Sequence, residues 1–173
     1  MPKPLIADKP YPSLEGICPD CRALRIISPS YASSTGELNS ILQYNYHAGM
    51  FDGKGLNEYA ELLDSIAVAE MLHLKILGKL ICALGAQPVY TACPPAGFNF
   101  YSAKFVSYSR SLKNMVEDDL LAERHAVMSY AHMLDHLRND RVKEVIARIL
   151  EDEKLHLQAF GDLLAKMECP KGG

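Results

Sequence analysis

Two tetrapeptides, Glu70-Met71-Leu72-His73 and Glu153-Lys154-Leu155-His156, constrain this chain more than any other feature. On an α-helix, residues i and i+3 lie about 60° apart around the axis, so each pair can close on one cation from a single helix face. Six His and eleven Glu in 173 residues produce about 0.4 such matches at random, so the pairs gain weight only from their surroundings. If Glu37 and Glu70 stand level on antiparallel helices, their connection falls near 53–54, where Phe51-Asp52-Gly53-Lys54-Gly55 is turn chemistry. Glu123 and Glu153 likewise imply a turn at 138, within Leu137-Arg138-Asn139-Asp140. Two hairpins therefore present Glu, Glu-x-x-His, Glu, Glu-x-x-His on four helices, the ligand set of a dinuclear metal site inside a bundle.

The rest of the chain suits that architecture. An apolar fraction of 49% over 173 residues can fill one domain core. A net charge of −3 supplies no basic footprint, so nucleic acid is not an expected partner. No apolar run long enough for a leader or a membrane span follows Met1-Pro2-Lys3-Pro4, and five Cys form no disulfide framework. The expectation is a cytoplasmic protein with no membrane contact.

Six of the ten prolines fall within residues 1–29, which reads as an extended arm preceding a four-helix bundle over 30–173. Inside the arm, Cys18-Pro19-Asp20-Cys21 is half of a zinc or iron knuckle, a redox dithiol, or a turn with two incidental thiols. The first helix is expected to start between Ser30 and Ser34 and reach Gly49, burying Glu37, Ile41, Tyr44 and Ala48. The second spans Leu56 to Leu84 and buries Leu63, Ile66, Ala67, Glu70, His73, Leu77 and Leu80, with Gly85 as its C-cap. Residues 86–105, rich in proline and aromatics, are long enough to return along the bundle as a crossover, their aromatics packing on its surface. A third helix over Val106–Leu137 buries Val116, Leu120, Glu123, Val127, Tyr130 and Leu134. A fourth over Asp140–Met167 buries Val145, Ile149, Glu153, His156, Phe160, Leu163 and Met167. The fold expected is all-α: two antiparallel hairpins joined by one long crossover, with a proline-rich N-terminal arm.

Four carboxylates in a bundle core would each cost several kcal/mol if unpaired, whereas two divalent cations set +4 against −4. Oxygen and nitrogen ligands without thiolate suit two Fe or two Mn ions. Glu70 and Glu153 are expected to bridge the ions, with Glu37 and Glu123 capping one each and His73 and His156 as nitrogen ligands. Such a set leaves positions open for water, O₂ or hydrogen peroxide, which points to an oxidoreductase. Tyr44 and Tyr130, each seven residues after its helix's Glu, are either core residues or hydrogen-bonding supports of a ligand. His47, His125, His132 and His136 lack a partnered spacing and read as surface or packing residues.

With those residues in view, the chain resembles the ferritin-like superfamily, in its bacterioferritin, rubrerythrin and manganese-catalase branch. The likeness runs over about residues 30–167. It rests on Glu37-Leu38, Gln43-Tyr44, His47-Ala48, Met50-Phe51, Gly55-Leu56, Ser65-Ile66, Glu70-Met71 with His73, Gly85 with Pro88, Asp119-Leu120 with Glu123, and Ile149-Leu150 with Asp152-Glu153 and His156. The resemblance implies a di-iron or dimanganese centre acting on hydrogen peroxide or O₂: catalase- or peroxidase-type peroxide detoxification, or ferroxidase chemistry on Fe²⁺. It implies a homodimer or larger homo-oligomer, and Asp152 as the partner of a ligand histidine across the bundle. Met71 stands at the family's haem-ligand position, although Met is also ordinary helix filler, so haem is the lesser option there. Departures are Ala69, where bacterioferritins carry a matching Asp, and Ala126, where rubrerythrins carry a further Glu. A fifth helix and a complete Cys₄ module are missing too, which argues against a large storage cage and a full rubrerythrin. The alternatives kept are an iron-storage or assembly protein and a non-catalytic structural coat subunit.

Overall fold

A computed structural model describes residues 2–92 and 99–168. Two short helices, α1 (Cys21–Ile27) and α2 (Pro29–Ala32), precede four long ones: α3 (Glu37–Asp52), α4 (Asn57–Ala83), α5 (Leu112–His136) and α6 (Asp140–Glu168). Both turns fall where the carboxylate midpoints put them. Between α3 and α4, Gly55 takes φ +72°, and Leu56 N–H returns to Phe51 O at 3.1 Å. Between α5 and α6, the Asn139 side chain accepts from Val142 N–H at 3.2 Å and opens the last helix. The α4 C-terminus closes through Gly85 at φ +96°, the left-handed position glycine occupies without penalty.

Tyr130 of α5 bonds Glu37 at the start of α3, and Tyr44, about two turns further along α3, bonds Glu123. Helices α3 and α5 therefore run antiparallel, which makes α4 and α5 parallel and requires the long crossover. Among its described residues, that segment carries an antiparallel bridge, Thr91 to Phe100, and a 3₁₀ turn at Ala103–Phe105. Tyr90 stacks on Tyr31 at 5.4 Å, and Tyr101 donates to Asn39 Oδ1 at 2.8 Å, so these aromatics do pack on the bundle, although Phe100 stays exposed.

Three elements differ from expectation. The first long helix opens at Glu37 rather than between Ser30 and Ser34, because the helical path breaks at residues 33–36 after the short α2. The arm is not extended throughout: Asp20 accepts from the N–H groups of Arg22 and Ala23 and starts α1, whose Ala23 and Ile27 are buried. A good N-cap with an apolar run behind it outweighs the surrounding prolines. The third long helix begins at Leu112 rather than Val106, because Ser111 caps it by accepting from Asn114 N–H. Its buried side is also rotated: Met115, Asp119 and Met133 are buried, while Leu120, Val127 and Leu134 are half-buried.

Two apolar clusters fill the bundle. One gathers Ala23, Ile27, Leu77, Leu80, Leu84, Tyr130, Val145 and Ile149 with their neighbours; the other gathers Tyr44, Phe51, Leu63, Ile66, Val116, Phe160 and Leu163. In sequence, Glu70 and His73 lie between Ala67 and Leu77, and Glu153 and His156 between Ile149 and Phe160, so the charged layer sits between two greasy ones. A low-dielectric seal on both sides raises the cost of every unpaired charge in that layer.

Candidate metal centre

Helical spacing brings all six expected ligands to one level. They form two groups of four, Glu37, Glu70, His73, Glu153 and Glu70, Glu123, Glu153, His156; within each, one ligand atom per residue lies within 4.8 Å of the others. Glu70 and Glu153 belong to both groups. His73 Nδ1 lies 3.0 Å from Glu70 Oε2, 2.9 Å from Glu153 Oε1 and 3.8 Å from Glu37 Oε2. His156 Nδ1 lies 2.8 Å from Glu70 Oε1 and 3.9 Å from Glu123 Oε2. All six side chains are buried.

The outer oxygens are held crosswise. Tyr44 of α3 donates to Glu123 Oε1 at 2.6 Å, and Tyr130 of α5 donates to Glu37 Oε1. Each Tyr thus occupies one oxygen of a carboxylate on the facing helix and leaves the other toward the centre. Burial, then the nearby carboxylates, pushes both phenols well above their ordinary value, so they remain donors. Tyr44→Phe or Tyr130→Phe should cost about 1–3 kcal/mol in calorimetric melts, since a buried acceptor loses its donor. Metal affinity should fall about tenfold by chelator competition. Parental stability and affinity in both variants would remove the supporting role.

On their far sides the histidines are addressed differently. His73 Nε2 faces Asp152 Oδ2 at 3.1 Å, whereas His156 Nε2 meets the backbone carbonyl of Leu5 at 2.8 Å. Ala69 supplies no carboxylate for the second histidine, and the arm takes that place. Asp152 also accepts from Ala7 N–H at 2.7 Å, Tyr11 Oη at 2.6 Å and Arg148 Nη1 at 2.6 Å. Although burial works against its charge, the donors His73, Tyr11, Arg148 and Ala7 hold Asp152 well below the ordinary carboxylate range.

The fit to cations is tested by what remains unbonded. Glu70 Oε1, Glu123 Oε2, Glu153 Oε1 and His156 Nδ1 are buried without a hydrogen-bond partner. With Nε2–H given to Leu5, a neutral His156 points its Nδ1 lone pair at a carboxylate oxygen, acceptor against acceptor. Only a proton or a cation between them resolves that contact. Either group of four could bind a metal ion.

In the metal-free protein, the buried carboxylates of Glu37, Glu123 and Glu153 hold their protons to higher pH than usual. Burial, then Glu70 and Glu37, pushes Glu153 up to about 7; burial, then Glu70, pushes Glu37 up to about 8. Burial and Glu153 also raise Glu123 well above the usual range. Burial alone would lower His73, but Glu70 and the nearby carboxylates of Asp152, Glu153 and Glu37 outweigh it and hold His73 well above 6.5. Every one of these folded values lies above its unfolded one, so the stability they contribute is present at low pH and is lost as pH rises through the folded values. Metal-free protein should therefore melt at lower temperature at about pH 9 than at about pH 6. Metal binding should release more than about one proton at about pH 6.5 and fewer at about pH 9, read by titration calorimetry in buffers of different ionisation enthalpy. Equal release at both pH values would contradict the proton-filled site.

Other residues singled out in the sequence lie elsewhere. His47 is buried, its Nδ1 2.8 Å from Asp119 Oδ1 and its Nε2 3.0 Å from Ser107 O, a packing role that pins the crossover to α3 and α5. His125, His132 and His136 are exposed. Met71 is 41% exposed on α4, beside a groove lined by Leu74, Lys75, Gly78 and Tyr90. Cys18, Cys21 and Cys82 are free and exposed, while Cys93 and Cys169 lie outside the described residues. Arg148, Tyr11 and the Leu5 carbonyl were not anticipated. Only Arg148-x-x-x-Asp152, one helical turn apart, carried a local signal.

Residues 33–169 match the Ferritin-like domain family. The chain belongs to the ferritin-like family. Among solved structures, the manganese catalase KatB from Anabaena superposes with a TM-score of 0.76 at 18% identity, covering 94% of this chain and 80% of that one. Bacterioferritin from Desulfovibrio desulfuricans, described with a diiron site, superposes at 0.69 and 21% identity, over 84% and 80% of the two chains. Mycobacterium tuberculosis bacterioferritin BfrA superposes at 0.72 and 22%, over 87% and 89%. No curated protein matches the sequence. At these identities the likeness to solved structures concerns the bundle alone. Among the described residues, no helix of this ferritin-like chain is long and apolar enough to cross a membrane.

Proposed function

We propose that this ferritin-like protein is an oxidoreductase with a carboxylate-bridged pair of iron or manganese ions, acting on hydrogen peroxide or O₂. Glu70 and Glu153 would bridge, Glu37 and His73 would hold one ion, and Glu123 and His156 the other. The observation that carries this reading is the pair of four-residue groups sharing Glu70 and Glu153, with unbonded acceptor atoms turned into the space between them. The bundle likeness to a manganese catalase and to a diiron bacterioferritin supports the same reading.

Bound there, the ions would supply a redox couple and open coordination positions for a small oxidant. The chain's own residues do the rest. Tyr44 and Tyr130 fix the terminal carboxylates, and the groups at each histidine's Nε2 turn its Nδ1 inward. Burial of the whole layer keeps bulk water from competing for the open positions. Its free cysteines suit a reducing cytoplasm, and assembly as a homo-oligomer belongs to the same proposal.

The test is elemental analysis of protein grown with both iron and manganese, followed by two assays: oxygen evolution from peroxide and oxidation of Fe²⁺. The reading expects about two metals per chain and turnover in at least one assay. Full occupancy with neither activity would favour the coat-subunit alternative, and a cage-sized particle by gel filtration would favour storage.

A further inference from the structure

The N-terminal arm is tied by hydrogen bonds to the helices of the metal layer. Leu5 N–H donates to Ser65 O on α4 at 3.2 Å, and Leu5 O accepts from His156 on α6. Ala7 N–H and the Tyr11 hydroxyl both donate to Asp152. Arg148 returns the tie from α6, donating to Ala7 O and Lys9 O at 2.9 Å each while its guanidinium lies 4.4 Å from the Tyr11 ring centre. Residues 5–11 therefore bind α4 to α6 along the far side of both histidines.

The two hairpins repeat, and the repeat is broken at one position. Asp152 precedes Glu153 and serves His73 on the facing helix; Ala69 precedes Glu70, and its methyl cannot serve His156. We infer that the arm is the positioning element for both ligand histidines, its Leu5 carbonyl standing in for the carboxylate missing at residue 69. Its Ala7 N–H and Tyr11 hydroxyl hold Asp152 against His73. Leu5 O accepts a hydrogen bond from Nε2–H and so leaves Nδ1 as the ligand nitrogen of His156. The two positions are then unequal. A carboxylate partner at Nε2 makes His73 the stronger ligand, and a backbone carbonyl leaves His156 the weaker one. Metal should fill the Glu37–His73 side first, although the carboxylates are matched. This inference rests on the metal reading above.

The test uses the full chain and Co²⁺ as the probe, titrated against a competing chelator. Parent protein should bind in two steps, the second weaker. Releasing the arm with Ala7→Pro and Tyr11→Ala together should weaken binding about 10–100-fold with the helical circular dichroism unchanged. Adding Ala69→Asp to that variant should recover at least about tenfold, because a side-chain carboxylate then accepts from Nε2–H. Ala69→Asp alone should keep parental affinity while the Leu5 amide loses protection from hydrogen exchange, its carbonyl having been displaced from His156, and the Ala7 amide, tied to Asp152, keeps its protection. Parental Co²⁺ affinity in the arm-released variant overturns the inference, as does a loss that Ala69→Asp fails to restore. Should the released variant not fold, unchanged protection of the Leu5 amide in the single Ala69→Asp variant overturns it instead. A parent chain that binds no Co²⁺ sinks the metal reading itself, a result distinct from the others.

Discussion

Replacing Glu70 by Ala is expected to empty both metal positions at once. Glu70 offers one oxygen to each histidine, Oε2 at 3.0 Å from His73 Nδ1 and Oε1 at 2.8 Å from His156 Nδ1. Its loss removes a shared ligand from each group and leaves three acids around a hole. Metal content, measured by elemental analysis after growth in iron and manganese, should fall below about one tenth of the parent's, since losing a group that merely hydrogen-bonds a ligand already costs about 10–100-fold in affinity. The metal-free fold should not suffer, because one buried carboxylate fewer relieves repulsion between Glu37, Glu70 and Glu153. Glu153→Ala should behave alike, and His132→Ala, on an exposed face, should leave metal content alone. Full occupancy in Glu70→Ala would refute the bridging role.

Arg148→Met is expected to be the most damaging single change to stability. Arg148 is 2% exposed and is bonded to Asp152, Ala7 O and Lys9 O. Met fills much of the volume but leaves Asp152 charged and short of a cation, and two arm carbonyls without donors. Breaking a buried pair from one side costs about 3–5 kcal/mol. For a chain of this length that lowers Tm by about 6–20 °C in a calorimetric melt. By contrast, the exposed pair of Lys9 with Glu151 should be nearly silent when Lys9 is replaced by Ala. A change of under about 1 kcal/mol in Arg148→Met would mean that the arm is tied down by something else.

What could be read in advance, and what could not, follows from range. Helical spacing and turn residues are local, so the positions of Gly53-Lys54-Gly55 and Leu137-Arg138-Asn139 and the levelling of Glu37, Glu70, Glu123 and Glu153 were open to inspection. The start of α5 was missed by six residues because Val106 continues the apolar pattern, and the decision rested on one Ser111 hydroxyl capping Asn114. Helix α1 was hidden by proline, whose density around Asp20 outvoted a serviceable cap. The ties from Leu5, Ala7 and Tyr11 to α6 span more than 140 residues and leave no periodicity. Ala69 was the one trace of them: a carboxylate absent where a repeat required it, which announced a substitute without saying where it would come from.

The most direct test is diffraction from crystals of the metal-loaded chain, recorded on either side of the iron and manganese absorption edges. Two anomalous peaks per chain are expected, about 3.5–4 Å apart, with Glu70 and Glu153 reaching both, Glu37 and His73 beside one, and Glu123 and His156 beside the other. A single peak, or peaks away from these six side chains, would contradict that arrangement.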